Sequence, residues 1–490
     1  MKKFTLLFLL LLFVNSSYSQ DILLEQDIYL RSYLSDKRDV YPVVDDFSGK
    51  ITLFLIDSDT INALTYNKTY KPLNTFKCQR PSGKFKILIG HTVDQNNYNL
   101  FFTNKRNKEF LVKSIDLINN TSKEYRIPFK LNTEEYLQSI CYKNKLYILS
   151  RTNYSSIYKL RVFEDNKLGI CIEHDFTEIL SPNSEPYRIA DDLYDSPDRS
   201  ATMTSFKKIE YNNPNSLDIT SEQYKVYCYD DQIVLSFDNE KDKTKLITIN
   251  LNNYTYKIKN YNQDPLDHSN RTNALSNSYI HMDKLYQLIV NKKELCLTIN
   301  SLKTDSLLKT YRVKGEDEIS FKNSALIQEI DGKGFTDSER ELGKTKQVLR
   351  KLLAGSLGIS VYETGNKLEV LLGGIKASPS TGNMIAMGLV GAVAIPLASG
   401  GAYYAVPNYT MNSYSSYTNS RSVYFKCLFD KQNLEHIVGD PSQNPFDKIK
   451  EFLDTIKTPQ TTQTIFKINN HFVLGYYLSD EKKYYLRKFE

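Results

Sequence analysis

The sequence predicts an all-β fold made of repeated four-stranded antiparallel units, and three observations predict it. A polar turn followed by a run rich in Ile, Leu, Val, Tyr and Phe recurs along the chain. Each recurrence sits within a similar set of four short runs. Each long interval between recurrences holds a stretch without strand-like patterning.

The recurring turns are "SGKITLFLI" at Gly49, "NNYNLFFT" at Asn97, "KNKLYILS" at Asn144, "DDQIVLSF" at Asp231, "MDKLYQLIV" at Asp283, "GNKLEVLLG" at Asn366 and "NNHFVLGYY" at Asn470. Asn, Asp and Gly tolerate the positive φ of a tight hairpin, so each turn joins two antiparallel strands. Tyr136 to Phe176 shows the full unit as "YLQSICYK", "KLYILSRT", "SIYKLRVFED" and "LGICIEHDF". Tyr224 to Tyr261 and Asn277 to Val313 repeat it. Four strands every 40–50 residues or so is the requirement of a propeller blade. Residues 20–490 are therefore expected to form a single domain, a seven-bladed β-propeller of four-stranded antiparallel blades. The last unit has only three runs, "TIFKIN", "HFVLGYYL" and "KKYYLRKFE". A ring cannot leave that edge open, so "ILLEQDIYL", about residues 22–30, is expected to pair there as the outer strand.

On these motifs the chain resembles β-propellers in general, over most of residues 21–490. It has neither the GH…WD signature of WD40 blades nor the paired glycines of kelch blades. As a propeller-like chain with an export signal and a charge-free insert, it is similar to uncharacterised secreted proteins of the Bacteroidota. That resemblance implies no activity and no catalytic residues.

Antiparallel alternation assigns the long excursions 179–221, 314–357, 377–420 and 440–460 to one face of the disc, where a rigid scaffold presents function on loops. Two of them predict helices. In "NPFDKIKEFLDTI", Asn444 is the N-cap, Pro445 the first helical residue, and Phe446, Ile449, Phe452, Leu453 and Ile456 one apolar stripe. In "DSERELGKTKQVLRKLLAG", leucines and Val348 face Lys344, Lys346, Arg350 and Lys351, a basic arc that is either solvated or suited to an anionic surface.

Ala377 to Ser420 contains no charged residue. A membrane crossing there would strand the last blades on the far side. Three readings stay open. The segment folds over the mouth of the central channel, it docks a partner as an exposed apolar loop, or it is weakly structured beyond Val406, where "NYTMNSYSSYTNS" is polar. The residues expected to touch a partner or surface are Met384, Met387, Leu389, Ile395, Tyr403, Tyr404, Tyr409, Lys346 and Arg350.

Residues 1–19 read as a signal peptide, with Lys2 and Lys3, an apolar run to Val14 and a small-x-small site at Ser17-Tyr18-Ser19. No Cys follows it, so export without a lipid anchor is expected, to periplasm, cell surface or medium. The net charge of +6 includes Lys2 and Lys3, and no Lys/Arg cluster stands out, which argues against nucleic-acid binding. The six cysteines lie mostly in strand-like runs with no CxxC and are read as buried thiols. No nucleophile-elbow, zinc-helix, phosphate-loop or Ca²⁺-loop motif occurs. No catalytic, cofactor or metal residues are therefore assigned. The expectation is a non-enzymatic scaffold contacting a protein, glycan or envelope surface through the insertion-bearing face. The competing readings are a hydrolase or lyase at the channel mouth and a structural protein on a membrane surface.

Overall fold

The computed structural model describes residues 21–30, 39–57, 59–81, 83–177, 206–263, 266, 274–330, 338–375, 407–418, 422–456 and 460–490. After β1 (Ile22–Asp27), the chain lays down sheet I from β2 (Asp39–Val44), β3 (Ile51–Ile56), β4 (Thr60–Tyr66) and β5 (Pro72–Gln79). Sheet II follows with β6 (Ile87–Asp94), β7 (Asn97–Thr103), β8 (Glu109–Asp116) and β9 (Thr121–Lys130), and sheet III with β10 (Glu134–Tyr142), β11 (Lys145–Thr152), β12 (Ile157–Glu164) and β13 (Lys167–Asp175). Sheet IV comprises β14 (Lys207–Lys208), β15 (Tyr224–Tyr229), β16 (Gln232–Phe237), β17 (Lys243–Asn250) and β18 (Tyr256–Asn262), with helix α1 (Leu217–Thr220) between β14 and β15. Sheet V is β19 (Leu275–His281), β20 (Lys284–Val290), β21 (Glu294–Ser301) and β22 (Leu307–Lys314). Sheet VI draws on β23 (Ile327–Ile330), β24 (Ser338–Glu341), β25 (Ser356–Thr364), β26 (Lys367–Ile375) and β27 (Ser422–Asp430), with α2 (Thr345–Leu352) and α3 (Tyr409–Thr418) in its connections. Helix α4 (Pro445–Thr455) leads into sheet VII, β28 (Gln460–Ile468), β29 (His471–Leu478) and β30 (Lys483–Phe489). The fold is all-β and propeller-like: seven sheets of four or five strands, antiparallel throughout except for β14.

The turn chemistry sets the hairpins. Lys143 and Asn144 both have positive φ, as do Asp230 and Asp231, the backbone that a two-residue type I′ turn requires. Within each sheet burial falls from the inner strands outward. Every residue of β3 is buried, whereas β5 alternates between exposed and half-buried.

Neighbouring sheets share apolar cores. Phe54 meets Tyr98 edge-on between I and II, and Phe101 meets Phe163 between II and III. Tyr158 and Leu149 pack with Val226 and Ile247 between III and IV, and one core runs through IV, V and VI. Sheet VII packs on sheet I through Tyr484, Leu486, Leu53 and Tyr66. Strand β1 pairs antiparallel with β30, Glu25 opposite Tyr485.

Between VI and VII the packing is different. Here α4 sits as a wedge, with Phe446 and Ile449 fully buried against Phe472, Leu474 and Tyr476. Its start carries a capping box, with the Asn444 side chain accepting from the Asp447 N–H and Asp447 accepting from the Asn444 N–H. The buried part of the stripe, Phe446 and Ile449, therefore packs on sheet VII and α3.

Sheet VI also departs from the expected order, which runs β24-β23-β27-β26-β25. Its outer strands come from within 314–357, so that stretch is not purely an insertion. After Asp430 there is only an isolated bridge, Phe429 to His436. The residues that follow turn away at Gly439, which adopts a φ of 135°. The basic helix is shorter than its apolar pattern: Ser338–Glu341 is strand, and helix begins at Thr345 beyond Gly343. The expectation of weak structure beyond Val406 is overturned by α3. The Asn408 side chain accepts the Met411 N–H at 3.0 Å, a cap that starts a helix directly after Pro407.

Candidate functional site

Two excursions fill the space shared by the sheets. The first runs from Phe206 to Ser221. Strand β14 lies parallel beside β15, and Ile209 N–H continues the ladder to Val226 O. Tyr211 then stacks on His281 of sheet V at 5.5 Å. The Asn212 carbonyl accepts from Lys467 of sheet VII at 3.0 Å, and its side chain accepts from the Glu363 N–H of sheet VI at 2.8 Å. The chain then reverses. Asn215 donates to Tyr279 at 2.9 Å, and Ser216 caps α1. At its start, Phe206 O accepts from Gln138 of sheet III. The segment thus contacts five of the seven sheets, III to VII.

Helix α3 is the second. Tyr409 donates to Gln138 Oε1 at 2.9 Å, Asn408 to Thr464 at 2.7 Å, and Ser413 to Asn215 at 2.8 Å. Tyr414 packs edge-on against Phe446 of α4. Close approach is permitted where side chains are missing: a Cβ on Gly373 would lie 2.5 Å from Leu217 of α1.

Where the two segments meet sheets I to IV, polar groups converge. Tyr41 Oη lies 2.6 Å from His91 Nδ1, and the His91 N–H points at Cys141 Sγ at 3.2 Å. Lys208 pairs with Glu210 at 2.8 Å and lies over the Tyr409 ring at 4.2 Å. His91, Cys141, Lys208, Cys228 and Tyr409 lie deep among the sheets, yet each is only half-buried. Side chains in that condition line an internal space that solvent reaches.

Burial, abetted by Lys208 and opposed by Asp46, lowers the His91 pKa to about 4, so the imidazole is neutral near pH 7. Burial pushes the Cys141 thiol up and the Cys228 thiol to about 12, so neither is a thiolate nucleophile. Burial works against the charge of Lys208, but Glu210 outweighs it and the ammonium is retained. Lys467 is lowered by burial. The cluster thus holds hydrogen bonds and the Lys208–Glu210 ion pair, with its thiols kept protonated.

Of the residues expected at a contact surface, Met384, Met387, Leu389, Ile395, Tyr403 and Tyr404 lie outside the described residues. Tyr409 turns inward and spends its hydroxyl on sheet III, so it is corrected from a surface contact to an anchor. Lys346 and Arg350 are exposed on α2. Lys346 also lines a cleft of about 1230 Å³ on the rim of sheet VI with Lys344, Glu316 and Glu341. The acidic loop Asp191 to Asp198 and the Asp267 to Arg271 group lie outside the described residues. The axial set of Tyr41, His91, Cys141, Lys208 and Glu210 was missed, because its members come from different repeats and share no local spacing. All six cysteines are free. Among the described residues no cluster of His, Cys, Asp or Glu could hold a metal, and no helix is long and apolar enough to cross a membrane.

No protein-family model matches the chain, and no curated protein does. Among solved structures, one of an ACO/RPE65 chimera is similar at 9% identity, with 57% of this chain, 62% of that one and a TM-score of 0.29. A prolyl endopeptidase structure matches 91% of this chain at 8% identity and a TM-score of 0.33. A structure of dihydro-heme d1 dehydrogenase NirN matches 57% at 8% identity and a TM-score of 0.27. The chain spans 62%, 46% and 47% of the lengths of these three.

Proposed function

We propose that the seven sheets close into a seven-bladed β-propeller, and that the chain is an exported, non-enzymatic scaffold that binds an envelope protein through residues 377–406. Closure is supported by the cores shared between successive sheets and by that joining VII to I. It is supported too by β1, which completes sheet VII from the other end of the chain. Export rests on the signal-peptide reading of residues 1–19. The resemblance to secreted proteins of the Bacteroidota supports the same compartment.

The observation that carries the binding role is how the uncharged stretch is mounted. It leaves from the end of β26 and returns through Asn408 into α3, which is bonded to sheets III and VII. We read a charge-free stretch anchored at both ends in this way as the contact region. The raised pKa values of Cys141 and Cys228 weigh only against a thiolate nucleophile in their cluster.

The test replaces residues 377–406 with a short Gly/Ser linker and leaves α3 intact. A deletion extended to Ser420 would remove buried Ser413 and Tyr414 and confuse loss of folding with loss of binding. The variant should keep the wild-type urea midpoint and lose retention of envelope proteins on the immobilised chain. Equal retention by both proteins overturns the reading. Retention transferred to lipid vesicles or to purified glycan would favour the other surfaces.

A further inference from the structure

Seven sheets leave seven outer strands, and the unpaired N–H and C=O groups of such an edge are a template for another strand unless the sequence guards it. Six are guarded. Strand β5 has Pro72 and Lys77; β9 has Pro128 among four charges; β18 has Lys257 and Lys259; β22 has Lys309 and Arg312; β24 is "SERE"; β1 has Glu25 and Asp27. Strand β13 offers the longest uncharged run without proline among the seven, Leu168 to Ile172. Leu168 and Ile170 are 40% and 42% exposed, and Cys171 between them and Ile172 is exposed as well. No described strand lies beyond β13.

We propose that β13 is an assembly edge, where two copies of this chain pair antiparallel with their Cys171 residues meeting on the two-fold axis.

Self-pairing is constrained by geometry. Facing residues in an antiparallel ladder must both turn their N–H and C=O outward or both inward. A two-fold axis between identical strands therefore runs through a residue and its own copy. Centred on Cys171, the pairing sets Ile170 against Ile172, and Glu173 against Gly169, which has no side chain to obstruct it. It brings the Lys167 end of one strand to the Asp175 end of the other, so unlike charges meet at both ends. The ladder inside the sheet is regular from Ile170 to Asp175, which leaves that stretch straight enough to extend. The other occupant within reach is residues 178–205, which leave from the end of β13. They carry Pro182, Pro186 and Pro197 and six acidic residues, a composition that makes a poor strand. A second copy fits better.

The experiment uses the full mature chain. Light scattering coupled to size exclusion across a dilution series should show a reversible monomer–dimer equilibrium under reducing conditions. Brief oxidation with copper–phenanthroline should then give a covalent dimer, and its peptide map should contain a Cys171–Cys171 disulfide. Ile170→Lys should weaken dimerisation by more than about tenfold while leaving the urea midpoint unchanged, and Leu168→Lys should act likewise. Cys171→Ser should still dimerise but fail to cross-link. A monomer at every concentration overturns the proposal. So does a dimer indifferent to Ile170→Lys, a cross-link through another cysteine, or dimerisation that begins only once residues 182–200 are removed.

Discussion

Replacing Lys225 with Met tests the ion pair that seats the axial segment. The Lys225 ammonium is fully buried and donates three bonds of 2.7 Å, to Asp238 Oδ2, Asn277 Oδ1 and Glu222 O. Asp238 also accepts from Thr244 at 2.8 Å and Ser278 at 2.9 Å. Asn277 in turn donates to Ser221 O and Leu357 O, which ties the end of the axial segment to β25. Lys225→Met leaves a carboxylate 1% exposed with only two hydroxyl donors. Breaking a buried pair from one side costs roughly 3–5 kcal/mol. Replacing both partners with apolar groups, Lys225→Met with Asp238→Leu, removes the stranded charge and should cost under about 2 kcal/mol. Urea unfolding followed by tyrosine fluorescence measures both, since the chain has 36 Tyr and no Trp. A single variant within about 1 kcal/mol of wild type, or a double variant as damaged as the single, would refute the reasoning.

The remaining predictions concern protons, thiols and packing. Burial lowers His91 to about 4 against an ordinary value of 6.5, so the unfolded chain binds its proton first. Stability is full above pH 6.5 and falls between pH 6.5 and 4, and His91→Gln should flatten that fall in pH-dependent urea midpoints. In reduced native protein, Ellman's reagent should find one fast thiol, Cys171, and six after denaturation. Several fast thiols would contradict the raised pKa values of Cys141 and Cys228 and the burial of Cys296 and Cys427. Gly373→Ala forces a Cβ to within 2.5 Å of both Leu217 Cδ1 and Val423 O. It should cost about 1–3 kcal/mol, read as a lowered melting temperature.

What the sequence revealed was local. The hairpin turns were legible because each depends on adjacent residues that tolerate positive φ, as at Lys143-Asn144 and Asp230-Asp231. The α4 start was legible because Asn444, Pro445 and Asp447 form their cap within four residues. Sheet VI was misread because strand order is nonlocal: "IQEI" and "SERE" are too short to announce themselves, and "IQEI" pairs with a strand about 95 residues later. The axial set was illegible for the same reason. Nothing near His91 signals Tyr41 or Lys208. The α3 cap was readable in principle from Pro407-Asn408, but a polar, Tyr-rich run has no apolar period to support it.

The pairing of β1 with β30 joins residues more than 450 positions apart. A chain threaded through a secretion pore from its first residue would hold Ile22–Asp27 without a mate until nearly all the rest had emerged. During that interval its donors and acceptors are an invitation to aggregate. Under the export proposed above, production of this protein should therefore depend on a holding chaperone on the receiving side.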